Sequence, residues 1–228
     1  MTKAPLSTEA AGPLVVLVPV LDRPHRVAPL VASVRATVPE ARVLFVTDPG
    51  DDAEIAAIEE LMPADPLVSA LECGGRYAAK ANAAVRATEE PLLFLGADDL
   101  DFKPGWFEAA TAKLTEGIGL VGTNDLGNAR VIRGEHATHF LMTRAYAELP
   151  TIDGANGPLC EQYEHNCVDD ELIGTARKRG AYAHAADSHV EHLHPFWRKA
   201  AIDDTYRKGQ RRFDRDRRLR EKRRRLWR

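Results

Sequence analysis

Three carboxylates, Asp98, Asp99 and Asp101, fall within four positions directly after the apolar run Leu92-Leu93-Phe94-Leu95. Carboxylates this close repel one another unless a cation or a proton sits between them. Hard divalent cations take oxygen ligands and bridge to substrate phosphates, so the first chemistry suggested is a metal site for a phosphorylated substrate. A solvated acidic turn is the plainer alternative, since Asp is common after strands. A second cluster, Asp169-Asp170-Glu171, opens a helical stretch that Gly180 ends. A carboxylate held in a cleft can act as general base, although acids in a first helical turn are also favoured by the helix dipole. His189, His192 and His194 form a third group, in which a strand would turn His192 and His194 to one side. No Cys partners it at zinc-site spacing. Asp48 closes a second apolar run, and Arg76 and Lys80 stand one helical turn apart behind Gly74-Gly75, where cations and backbone can approach phosphate oxygens. His136 and His139 are candidates for acceptor contacts.

These residues need elements to hold them. Leu14 to Val20, Val43 to Val46, Leu67 to Leu71 and Leu92 to Leu95 read as buried strands. Val27, Leu30, Val31, Val34 and Val38 make the stripe of an amphipathic helix between the first two strands. Asp51 or Asp52 caps a second helix through Met62, and Tyr77 to Thr88 is a third. Strands apolar throughout, alternating with helices, argue for a parallel sheet covered on both faces. Ligands bind such sheets at the C-terminal rim of the strands, where Asp48 and Asp98 to Asp101 fall. Beyond Asp101 the pattern is mixed. Trp106 to Leu114 reads as helix, Ile118 to Gly122, Ala129 to Ile132 and His139 to Thr143 as short strands, and Asp169 to Arg179 as helix.

The 228 residues suffice for one large α/β domain. At 44% hydrophobic and 29% charged the composition is that of a soluble protein, and the longest apolar runs are far short of a membrane span. Cys73, Cys160 and Cys167 lack metal-ligand spacing and fit free thiols in a reducing cytoplasm. Charge is distributed unevenly. Residues 198–228 hold 15 Lys or Arg and 5 Asp or Glu, which leaves 16 basic and 29 acidic residues to positions 1–197. The expected organisation is a disordered leader (1–12), a globular domain (13–197) and a basic helical tail (198–228).

The ordered set of pieces resembles the family-2 glycosyltransferases of the GT-A fold. The matching residues are the first strand with Pro19, Asp48 after the second strand, and Lys80-Ala81-Asn82. They continue with Leu95-Gly96-Ala97-Asp98-Asp99 ahead of Pro104-Gly105-Trp106, Asp169-Asp170-Glu171-Leu172, and a late histidine. The resemblance covers roughly residues 14 to 195. It implies a Rossmann-like nucleotide-binding half, a mixed acceptor half, a nucleotide-sugar donor, Mn2+ or Mg2+, and inverting attack by an acceptor hydroxyl. It implies donor contacts at Pro19, Asp48, Arg76, Lys80 and Asp98. Asp99 becomes the metal ligand, assisted by Asp98 or Asp101 and completed by His192 or His194. Asp170 becomes the base, with Asp169 and Glu171 beside it. One departure stands out: the family's first Asp of Asp-x-Asp is Ala97 here.

Two other functions use the same features. A nucleotidyltransferase would employ the same carboxylates and metal, and a non-catalytic nucleic-acid binder would be led by the basic tail. For residues 207–228 three roles stay open: an anionic membrane surface, nucleic acid, or a self-neutralising segment on the acidic body.

Overall fold

The structure is a computed structural model and describes residues 13–228; the expected leader lies outside the described residues. Strands β1 (Leu14–Pro19), β2 (Arg42–Thr47) and β4 (Leu92–Leu95) are buried along almost their whole length. Their continuous apolar sequence follows from being covered on both faces. With β3 (Val68–Glu72) they form a parallel half-sheet in the order β3-β2-β1-β4. Helices α1 (Val27–Thr37), α2 (Asp52–Leu61) and α3 (Tyr77–Arg86) make the crossovers. The stripe from Val27 to Val38 is buried, and the Asp51 carboxylate accepts the Glu54 N–H as helix cap.

The sheet then changes character. Strand β7 (Phe140–Thr143) pairs antiparallel with β4 and with β6 (Leu120–Asn124). Strand β8 (Tyr182–His192) runs parallel to β6, and β5 (Leu100–Phe102) pairs antiparallel with β8. The eight strands lie in the order β3-β2-β1-β4-β7-β6-β8-β5. Trp106, opening α4 (Trp106–Thr111), packs on Phe94 and Phe102 at ring separations of 5.0 and 4.8 Å. That cluster fixes the turn after Asp98 and Asp99.

The expected strand at Ala129 to Ile132 is instead a short helix, α5 (Ala129–Ile132), because the Asn128 side chain caps it by accepting the Arg130 N–H at 3.0 Å. Two further helices follow, α6 (Arg144–Ala147) and α7 (Val168–Lys178).

The basic tail is helix α8 (Asp204–Arg223), 20 residues or about 30 Å long. It lies on the acidic body and is held there by polar groups more than by an apolar stripe. Of the larger side chains on this segment, Ile202 and Phe213 are exposed, and Tyr206 turns inward. Asp216 is fully buried and accepts the backbone N–H groups of Glu164, His165 and Asn166 at 2.7–2.9 Å. Arg223 forms a two-pronged pair with Glu171 at 2.6 and 2.8 Å. Trp227 sits where a Cβ on Gly174 would come within 1.8 Å of its ring, so only glycine admits it there. Among the described residues no helix is long and apolar enough to cross a membrane.

Candidate active site

The parallel strands deliver their C-terminal ends to one rim. After β1 the chain turns at Leu21-Asp22-Arg23, and the Arg23 N–H is fixed by Glu54 Oε2 at 2.7 Å. The buried Arg23 guanidinium reaches Asp98 Oδ1 at 2.9 Å, Asp99 Oδ2 at 3.8 Å and Asp203 Oδ2 at 2.9 Å. Asp99 Oδ2 also faces His192 Nε2 at 3.3 Å and accepts the hydroxyl of Tyr206 from α8. Two backbone bonds place His192: its own N–H to Asp125 O at 3.1 Å, and Leu193 N–H to Asp99 O at 2.8 Å. The rings of His139 and His194 lie 4.8 and 4.9 Å from that of His192.

The electrostatics follow from this crowding. Burial pushes Asp99 upward, but His192, Tyr206 and Arg23 outweigh it and hold the carboxyl far below its usual range. Asp98 shifts the other way, raised by burial and by the charge of Asp99. The pair therefore favours one ionised carboxylate at Asp99 over two. Burial and the neighbouring His192 lower His139 to about 3, and lower His194 to about 4, so both imidazoles are neutral at physiological pH.

Not every acidic or basic candidate joins this cluster. Asp101 points elsewhere, pairing with Lys103 at 2.6 Å, which also holds Glu191. Lys80 is buried and donates to Asp48 Oδ2 and to Val20 O, both at 2.7 Å, while the Gly75 N–H reaches Asp48 Oδ1 at 3.3 Å. Lys80 and Asp48 thus lock the β1 and β2 ends together beside Pro19, which lies opposite Val46. Arg76 pairs with Glu164 at 2.6 Å, and Glu164 is shared with Arg215 of α8 at 2.6 Å.

The three acids of α7 diverge. Asp169 Oδ2 faces His136 Nε2 at 3.1 Å, and Asp170 Oδ1 lies 3.7 Å from His136 Nδ1. Burial opposes ionisation of Asp169, but the hydrogen bond and charge of His136 lower it overall. Burial lowers His136 in turn, and Asp169 and Asp170 more than reverse this, so its net shift is upward. Asp170 Oδ2 pairs with Arg220 at 2.9 Å. Glu171 is buried and fully engaged by Arg223 and by the Tyr163 hydroxyl at 2.9 Å. It holds the fold and does not face the cleft.

Asp169 shares its surroundings with Asp99. The charges of both act on His139 and on Tyr77, whose hydroxyl donates to Gly96 O at 3.1 Å. Asp99 and Asp169 therefore both lie within electrostatic reach of the Tyr77 hydroxyl and the His139 ring. The local signal for Arg23 is only a charged residue just after the first strand, and neither Tyr77 nor Tyr206 carries one for a role in this site.

Comparison with known proteins depends on this three-dimensional arrangement. No family model matches the chain, and no curated protein is significantly similar to it. Solved structures are similar. The mannosyltransferase PcManGT of Pyrobaculum calidifontis, in complex with GDP-Man and Mn2+, superposes with a TM-score of 0.61 at 14% identity over 79% of this chain and 56% of its own. TarS of S. aureus gives 0.60 at 14% identity over 78% and 59%. Glucosyl-3-phosphoglycerate synthase of Mycobacterium tuberculosis, with Mn2+, UDP and glucosyl-3-phosphoglycerate, gives 0.53 at 14% identity over 78% and 71%. The fold is that of the GT-A glycosyltransferases. The chain spans little more than half the length of the first two of these proteins. The rim carrying Arg23, Asp48, Asp98 and Asp99 belongs to the parallel half of the sheet, and α7 to the mixed half. Among the described residues, no three His, Cys, Asp or Glu side chains already stand together as a metal cage.

Proposed function

We propose that the protein transfers a sugar from a nucleotide-sugar donor to an acceptor hydroxyl with inversion, using Mn2+ or Mg2+. The observation that carries this is Asp99 at the C-terminal rim of the parallel half-sheet, with His192 Nε2 3.3 Å from its carboxylate and the His194 ring beside that of His192. The complexes of the similar proteins with GDP-Man or UDP and Mn2+ support it.

The residues present fit a divalent cation. Asp99 offers a carboxylate oxygen, His192 an imidazole nitrogen 3.3 Å from it, and His194 a second ring nearby. Mixed carboxylate and imidazole donors suit Mn2+, with Mg2+ served mainly by the carboxylates. The buried His192 Nδ1 has no hydrogen-bond partner among the described residues, so the ring is held on its polar edge only through Nε2. Such a cation stabilises the charge that develops on a leaving diphosphate. Arg23 and Tyr206 fill the space around the carboxylates and yield as the donor enters.

The chain's own groups then act as follows. Asp169, oriented by His136, accepts the proton of the acceptor hydroxyl. The acceptor oxygen bonds to the anomeric carbon as the bond from that carbon to the diphosphate oxygen breaks, and a nucleoside diphosphate leaves. This reading moves the base from Asp170 to Asp169, because Asp169 shares the environment of Asp99 while Asp170 is tied to Arg220. Asp98 and Arg23 adjust the charge of the rim, and Asp48 and Lys80 shape the wall beside the nucleotide.

Calorimetry with UDP and GDP tests the donor half. Binding is expected with Mn2+ and is expected to vanish in Asp99→Ala. Metal-independent binding that survives Asp99→Ala would sink the assignment. The anomeric configuration of the product, read by NMR, tests inversion.

A further inference from the structure

A cleft of about 440 Å³ opens beside Asp170, between α5, α7 and the end of the chain after α8. Five arginines line it: Arg130, Arg177, Arg220, Arg224 and Arg228. Its two acids are already neutralised. Asp170 pairs with Arg220 at 2.9 Å, and Glu135 pairs with Arg133 at 2.7 Å. Arg224 has only Glu221, at 3.5 Å. Among the described residues Arg130, Arg177 and Arg228 have no carboxylate within 4.0 Å. The cleft therefore carries three uncompensated guanidinium groups.

The walls are built rather than draped. Arg177 donates to the carbonyls of Gly134 and Glu135 at 3.1 and 3.2 Å and lies 4.9 Å from the centre of the Tyr182 ring. Trp227 is seated on Gly174, and Lys178 Nζ holds Leu226 O at 2.8 Å. Guanidinium forks match phosphate oxygens two at a time. A phosphomonoester brings a charge of about −1.5 to −2 near pH 7, which answers an excess of this size better than a monocarboxylate does. The cleft also exposes His136 and Asp170, the neighbours of the proposed base. Asp169 does not itself line the cleft but lies directly behind it, 3.1 Å from His136 Nε2.

We infer that this arginine-lined cleft is a phosphomonoester site, and that the acceptor of the reaction carries a phosphate group close to the hydroxyl that is glycosylated. The inference rests on the transferase reading for its role as acceptor site, but the binding is testable alone.

The full chain is titrated by calorimetry with glycerol phosphate, with glycerol as neutral control, in the absence of metal and nucleotide. Glycerol phosphate is expected to bind and glycerol is not. The double variant Arg130→Gln/Arg177→Gln is expected to weaken binding by about tenfold or more, the scale of losing charge-assisted hydrogen bonds. Arg217→Gln, which does not line the cleft and pairs with Asp214, is expected to change nothing. Phosphatidate in phosphatidylcholine vesicles presents the same group on a lipid. Binding to glycerol phosphate assigns a soluble acceptor, and binding to the vesicles alone assigns a lipid headgroup. Binding to neither overturns the inference, as does equal affinity of the double variant and the parent. Mn2+-dependent binding of UDP or GDP by the double variant shows that it is folded. If that donor binding persists while phosphomonoester binding is absent, the transferase reading stands and this one falls. If donor binding is absent from the parent while glycerol phosphate binds, the transferase reading falls and the site stands.

Discussion

Tyr206 donates its hydroxyl to Asp99 across 107 positions of sequence, joining the first turn of the C-terminal helix to the end of a core strand. The Tyr206 ring also carries the Arg23 guanidinium 4.1 Å from its centre. The tail thus begins inside the candidate metal site, and α8 then crosses the acidic face to α7. Helix α8 is part of the cleft wall as well as a source of charge.

The first expectation concerns that contact. Tyr206→Phe removes a hydrogen bond that competes with a cation for Asp99 Oδ2. One such bond is worth about 0.5–1.5 kcal/mol, so Mn2+-dependent binding of UDP or GDP should tighten by roughly 2- to 10-fold. Weaker binding in Tyr206→Phe would instead make the tyrosine a donor contact.

Base and neighbour should separate in kinetics. Asp169→Asn is expected to keep donor affinity and lower kcat by roughly 10²-fold or more, the usual scale for a lost general base. Asp170→Asn should lower the acceptor KM with a smaller effect on kcat, because it removes the carboxylate that competes with a phosphate for Arg220. If the two phenotypes are exchanged, the base is Asp170.

The buried imidazoles predict an acid limb in stability. His139, lowered to about 3 in the fold, stays neutral while its unfolded counterpart takes up a proton below about 6.5. The unfolded state then binds more protons, so stability falls as pH drops through that window. His139→Gln should flatten the loss of Tm between pH 7 and 5. His136 has the opposite sign. Its raised value stabilises the fold below the unfolded pKa, and that contribution fades as pH rises through the folded one. An unchanged acid limb in His139→Gln would mean that other groups set it.

Tail docking should be visible in the Arg223–Glu171 pair. Glu171 is 3% exposed, so Arg223→Ala leaves a buried carboxylate without its cation. Breaking such a pair costs about 3–5 kcal/mol, and Arg223→Ala should lower Tm markedly. The double variant Arg223→Leu/Glu171→Leu should recover much of the loss, since the unpaired charge is gone. If Arg223→Ala melts like the parent, α8 does not stabilise the domain.

Local sequence was enough to determine the parallel half of the fold. Its strands are continuous apolar runs, its first helix is an apolar stripe, and Asp51 is a cap, all local patterns whose physics needs no distant partner. It also determined that Asp48, Asp98 and Asp99 end strands, and hence that they share a rim. Tertiary structure alone decided the rest. Asp169, Asp170 and Glu171 are consecutive on α7, so their side chains leave the helix about 100° apart and meet three different partners: His136, Arg220 and Arg223. No local pattern says which of the three meets the cleft. Asp101, two residues from Asp99, belongs to Lys103 because it forms part of β5, whose pairing with β8 depends on a strand about ninety positions away. The α8 sequence has too few apolar residues to announce a packed helix. It docks through Asp216 in three backbone N–H groups, through arginines on buried or cleft carboxylates, and through Trp227 over Gly174. Those contacts are directional and non-local, so they exist only once the chain has brought both partners together.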